Sequence, residues 1–129
     1  MTKRNIVHIE IPTSNAKESA DFYQKLFGWN IIRDEQFDYT MFDGDGGPGG
    51  GFTKIGGEWG DHVQVGHVLI YINSDDIEAD LKQAEALGGK IIQPKTEIPG
   101  TGWFGIFTDP TGNTIAVYTD MGGMNQEQS

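Results

Sequence analysis

At 129 residues the chain is long enough for one compact domain with a real core. Its 19 acidic against 9 basic side chains, a formal net charge of -10, repel phosphate backbones and anionic lipid, so neither nucleic acid nor membrane is an expected partner. No apolar run approaches membrane-spanning length, no secretory segment leads the chain, and the lack of cysteine excludes disulfides and thiol catalysis; a cytoplasmic protein is expected.

Ile6–Ile11 alternates, with Val7, Ile9 and Ile11 on one face and Ile6, His8 and Glu10 on the other. This is the pattern of a half-buried strand, which Pro12 should end. Ser14 or Asn15 offers a helix N-cap, and Glu18 completes a capping box with Asn15. Ala16, Ala20, Tyr23 and Leu26/Phe27 follow at helical spacing, and Gly28 is a natural stop. Strands are predicted near 29–35, 37–43 and 50–55, with the run DGDGGPGGG (43–51) as a loop before the last. A second cycle opens with a strand over His67–Ile72. Ser74 or Asp75 can cap a helix with the apolar stripe Ile77, Leu81, Ala84 and Leu87, ended by Gly88-Gly89. Strands near 90–94, 102–108 and 113–119 follow, the last two joined by a turn at Asp109-Pro110-Thr111-Gly112-Asn113. Residues 121–129 read as a polar, flexible tail.

The two cycles superpose. His8 and His67 are 59 positions apart, as are Ala20/Ala79 and Asp21/Asp80, while Gly28/Gly88, Ile31/Ile91 and Ile32/Ile92 are 60 apart. The chain therefore reads as one domain over residues 1–120, made of two modules at about 4–56 and about 64–120. The single helix of each module can cover one face of its sheet. The expected fold is α+β, with two βαβββ modules forming a cup-shaped open barrel. Whether a cup forms within one chain or across two depends on the linker Gly56–Val65. A homodimer is expected, because short sheets leave edges to be covered.

Three segments carry a family resemblance. They are Val7–Trp29 (VHIEIPTSNAKESADFYQKLFGW), Ala86-Leu87-Gly88-Gly89 followed by Ile98-Pro99-Gly100, and Gly102–Thr119 (GWFGIFTDPTGNTIAVYT) with its Asp-Pro-x-Gly-Asn turn. Together they resemble the glyoxalase/bleomycin-resistance/extradiol-dioxygenase group, the vicinal oxygen chelate fold, and within it small bacterial proteins related to lactoylglutathione lyase. The similarity runs over residues 5–119. It implies the fold; function does not travel with it. It also implies a divalent ion held in the cup by one side chain from the first and one from the fourth strand of each module. His8 and His67 match the first-strand ligands. The fourth-strand ligands, usually Glu, have no counterpart: no Asp or Glu stands between Gly46 and Gly57 or between Asn113 and Thr119, and Ala116 occupies the matching place.

No cofactor is certain from these residues. Two imidazoles can form an incomplete site for zinc, nickel, iron or manganese, finished by water or by Glu10, whose Cβ would lie roughly 7 Å from that of His8. Alternatively His8 and His67 are polar linings of a wet cup. Glu10 can act as a general base beside a carbonyl, or simply orient His8. Phe52, Trp59, Trp103, Phe104 and Tyr118 offer aromatic area to a planar ligand, although strand aromatics are as often core. The glycine run lacks the Lys-Ser/Thr of a phosphate loop, and no G-x-S-x-G nucleophile motif occurs.

Three functions compete. The first is a metal-free binder of a small carbonyl-bearing or aromatic molecule, as the resemblance to the bleomycin-resistance branch implies. The second is a divalent-metal-dependent lyase, isomerase or dioxygenase using His8, His67 and Glu10. The third is an interaction module with an acidic surface. The missing carboxylates favour the first.

Overall fold

The computed structural model describes residues 3–56 and 64–121. Trp59, most of the Gly56–Val65 linker and the tail beyond Met121 lie outside the described residues. The elements run β1 (Ile6–Thr13), α1 (Ala16–Phe27), β2 (Asn30–Asp34), β3 (Tyr39–Asp43), β4 (Gly50–Lys54), β5 (Leu69–Asn73), α2 (Ile77–Ala86), β6 (Lys90–Ile98), β7 (Gly102–Thr108) and β8 (Thr114–Asp120). The fold is α+β, a βαβββ cycle repeated. It divides into two compact units, Val7–Ile70 and Tyr71–Ser129 with Met1–Ile6. No helix among the described residues is long and apolar enough to cross a membrane.

In the Val7–Ile70 unit the strand order is β2-β3-β4-β1, with β1 parallel to β4. Asn15 caps α1, its side chain accepting the Glu18 N–H at 3.1 Å, and Gly28 closes the helix in the left-handed region at φ 75°. The helix lays Ala20 and Tyr23 on Phe42 and Phe52, with Ile9, Ile11, Trp29 and Ile31 around them. Trp29 stacks on Phe42 with ring centroids 4.5 Å apart. Ile9 and Ile11 therefore face the helix as alternation requires. Pro12 does not end β1, which continues to Thr13. The Ile9 N–H bonds Gly49 and the Thr13 carbonyl accepts from Ile55, so odd positions of β1 pair with β4. The nitrogen of Pro12 points away from that ladder, which loses no bond to it.

In the other unit the order is β5-β8-β7-β6. The cap of α2 is Asp76, which accepts the Ala79 N–H at 3.1 Å, rather than Ser74 or Asp75. Ser74 instead accepts the N–H of Asp76. Ile77 and Leu81 pack on Val117, with Ile72, Ile91, Trp103 and Phe107 beside them. β6 extends past residue 94 to Ile98 by way of register shifts between Ile91 and Thr96, which absorb Pro94. Asp109 organises the β7–β8 turn by accepting the N–H groups of Thr111 and Asn113 at 3.0 and 2.9 Å.

The caps correct how the two cycles superpose. Thr13 and Ser74 each accept the N–H two residues on, Asn15 and Asp76 are the N-caps, and Ala20 and Leu81 are the buried helix positions. Each of these pairs is 61 apart, so the 59-residue matches of His8/His67 and Ala20/Ala79 are out of register, and Ala79 is indeed exposed. Leu69 stands where His8 does, and Tyr71 where Glu10 does. His67 is exposed and precedes β5, which starts at Leu69 rather than 67.

Candidate functional site

Alternation along β1 sends His8 and Glu10 to the sheet face opposite α1. Glu10 is in register with Gly51 on β4, and Gly51 with Met41 on β3. Thr53 and Tyr39, two residues along each strand, share this face. The Tyr39 hydroxyl lies 3.0 Å from His8 Nε2 and donates to Glu10 Oε2 at 3.2 Å. A phenol has one proton to give, so His8 carries its proton on Nε2 and donates to Tyr39. Burial lowers the His8 pKa to about 4, keeping the ring neutral at neutral pH. Burial, and then the adjacent charge of Glu10, push the Tyr39 phenol well above its ordinary range. Thr53 Oγ1 faces the phenol and partly offsets this, yet it is buried without a hydrogen bond of ordinary geometry among the described residues.

Gly51 makes the arrangement possible. A Cβ there would fall 1.9 Å from Tyr39 Oη and 2.0 Å from Cζ, deep inside the ring's van der Waals surface. A glycine inside a strand is usually unfavourable and marks close approach by another group. Here that group is the phenol.

Of the residues singled out by sequence, the structure brings His8 and Glu10 together and leaves His67 off the strand. Phe52, 1% exposed, is core beneath α1 and not a lining residue. Trp103 likewise faces α2, with Lys95 Nζ 5.4 Å from its ring centroid. Both corrections follow from strand parity: Phe52 is one residue from Gly51 and Trp103 one from Phe104. Phe104 and Tyr118 are ladder neighbours on the face opposite α2, where Tyr118 meets Tyr71 edge-on at 6.4 Å. Burial and the charge of Asp120 push the Tyr118 phenol up to about 12. Tyr39, Gly51 and Thr53 were missed. The available signals were the alternation of Tyr39 with Met41, and glycines persisting into a predicted strand.

Among the described residues the donor set does not fit a metal centre. His8 Nε2 is engaged by Tyr39, Gly51 and Ala116 offer no ligand atom, and His67 is not on the strand. Among the described residues no group of three or more His, Asp or Glu side chains could hold an ion.

A βαβββ cycle repeated along one chain defines a recognisable class. The model of the glyoxalase/bleomycin resistance protein/dioxygenase superfamily matches residues 5–117, and the chain belongs to that family. It is 28% identical to the anthracycline biosynthesis protein DnrV of Streptomyces peucetius, over 84% of this chain and 44% of DnrV. The chain thus spans less than half that relative's length. A glyoxylase-like domain-containing protein of Didymella fabae is also 28% identical, over 88% of this chain and 92% of its own. A superfamily member from Vibrio splendidus 12B01 superposes with TM-score 0.63 at 14% identity, over 92% of this chain and 100% of that one. The methylmalonyl-CoA epimerase of Mycobacterium tuberculosis superposes with TM-score 0.70 at 9% identity, over 94% and 91%. At such identities the structural likeness is one of fold alone.

Proposed function

We propose that this chain binds a small carbonyl-bearing or aromatic molecule on the β1–β4–β3 face opposite α1, without a metal ion. The observation that carries this reading is the hydrogen-bonded chain His8–Tyr39–Glu10. It sets a neutral imidazole and an un-ionised phenol beside a carboxylate on one sheet face. A neutral phenol held in this way suits a carbonyl oxygen, and Glu10 is placed to accept a proton from a ligand hydroxyl or an acidic C–H. The likeness to an anthracycline biosynthesis protein supports the ligand class, since anthracyclines are planar, aromatic and rich in carbonyls.

Calorimetric titration with 1-tetralone and 1-hydroxy-9,10-anthraquinone, each with EDTA present, tests the reading. Saturable binding is expected, weakened about tenfold in Glu10→Gln with the melting temperature nearly unchanged. Failure to bind either compound, or binding abolished by EDTA, overturns it. The expected homodimer belongs to the same reading, and light scattering at micromolar concentration checks it.

A further inference from the structure

We infer that Tyr39 is the group that recognises the ligand's carbonyl oxygen, with Gly51 as the position that admits it and Thr53 as a second donor. The inference rests on the binding reading above and deepens it by assigning specificity.

Three observations converge. First, Gly51 lies in mid-ladder between Glu10 and Met41, where a side chain would normally stabilise the strand. What occupies its missing Cβ position is the phenol, with Oη and Cζ both within 2.0 Å of that point. Second, the Tyr39–Glu10 bond at 3.2 Å is much longer than the roughly 2.5–2.7 Å of a charge-assisted O–H···O⁻ bond, so it is loosely held. An incoming oxygen can take the phenol proton while His8 still holds the phenol from its other side. Third, Thr53 Oγ1, on a residue only 5% exposed, has no hydrogen bond of ordinary geometry among the described residues. A buried hydroxyl left this way is costly unless something else supplies a partner. Tyr39 and Thr53 are on adjacent strands of the same face, and Thr53 Oγ1 is buried against the phenol, so an acceptor oxygen meets both only as the phenol swings towards it.

The second cycle serves as an internal comparison. Gly51 pairs with Met41, and Ala116 pairs with Ile106 in the same sense. Two residues before Ile106 is Phe104, the counterpart of Tyr39. Where the glycine is alanine, the ring carries no hydroxyl.

The test compares 1-tetralone with tetralin, in which a methylene replaces the carbonyl, on the full chain and on Tyr39→Phe, Gly51→Ala and Thr53→Val. The unaltered chain should prefer the ketone about tenfold, as a satisfied hydrogen bond implies. Tyr39→Phe should reduce that preference to within about twofold while leaving tetralin affinity unchanged. Gly51→Ala should do the same by displacing the phenol, and Thr53→Val should cause a smaller loss. Tyr39→Phe keeps the ring and decides the question even if Gly51→Ala fails to fold. If the unaltered chain binds neither compound, this inference falls with the binding reading. If it binds the ketone but shows no preference over tetralin, or if Tyr39→Phe retains the preference, the inference alone falls.

Discussion

Acidification should destabilise this protein above the pH range of its carboxylates, through His8. In an unfolded chain the imidazole titrates at 6.5, whereas in the fold it titrates at about 4. A base whose folded pKa is depressed leaves stability intact above about pH 6.5. That stability drains away as pH falls towards 4, because the unfolded state takes up the proton first. Integrating between those values, the loss from His8 alone is about 2 kcal/mol by pH 5 and about 3 kcal/mol by pH 4. Against a domain stability of about 5–15 kcal/mol this is large. Asp38, held down to about 2 by Lys54 and then Arg33, acts in the same direction but lower on the scale: its contribution is lost only below about pH 4. Urea unfolding at pH 7 and pH 5, with His8→Gln alongside, measures the difference. The unaltered chain should lose about 2 kcal/mol more than His8→Gln over that interval. Equal losses, or a His8 ring-proton titration with its midpoint near 6.5, would refute the reasoning and show that Glu10 compensates for burial.

Two further substitutions test the packing. Asn15→Ala removes the acceptor for the Glu18 N–H and should cost about 1 kcal/mol in urea unfolding. Phe52→Leu should lower stability by about 1 kcal/mol while leaving 1-tetralone affinity unchanged, since Phe52 packs under α1 and not on the His8–Tyr39–Glu10 face; a selective loss of affinity would reverse that placement.

Much of the fold was legible because it rests on local rules. Period-two alternation placed Ile9 and Ile11 against α1, the Asn15 cap and Gly28 stop bounded that helix, and Asp109 marked the β7–β8 turn. The misreadings also have local causes. Pro12 reads as a strand breaker unless one knows which way its nitrogen faces. Ser74 or Asp75 reads as the cap of α2 because both residue types cap helices, and the chain path selects the next residue, Asp76, instead. The 59-residue offset came from matching identical letters, His8 with His67 and Ala20 with Ala79. The offset of 61 comes from matching roles: cap with cap, buried helix residue with buried helix residue.

The same distinction governs the site. His8 and Glu10 were legible because two residues on one strand need only alternation to share a face. Tyr39, Gly51 and Thr53 depend on register between three strands, which a loop of uncertain length hides from the sequence. Once register is known, the positions pair off: His8 with Leu69, Glu10 with Tyr71, Tyr39 with Phe104, Thr53 with Tyr118, and Gly51 with Ala116. At all but one of these places the first cycle carries an imidazole, carboxylate, phenol or hydroxyl. The second carries an aliphatic or aromatic side chain, with Tyr71 and Tyr118 keeping their phenols. A metal site fed by both cycles needs charged or imidazole ligands at equivalent places in each. Among the described residues they stand in one cycle only, and the proton-bearing groups there hold one another. That asymmetry leaves the paired-ligand pattern half filled among the described residues, whereas the hydrogen-bonded set His8–Tyr39–Glu10 lies within one cycle.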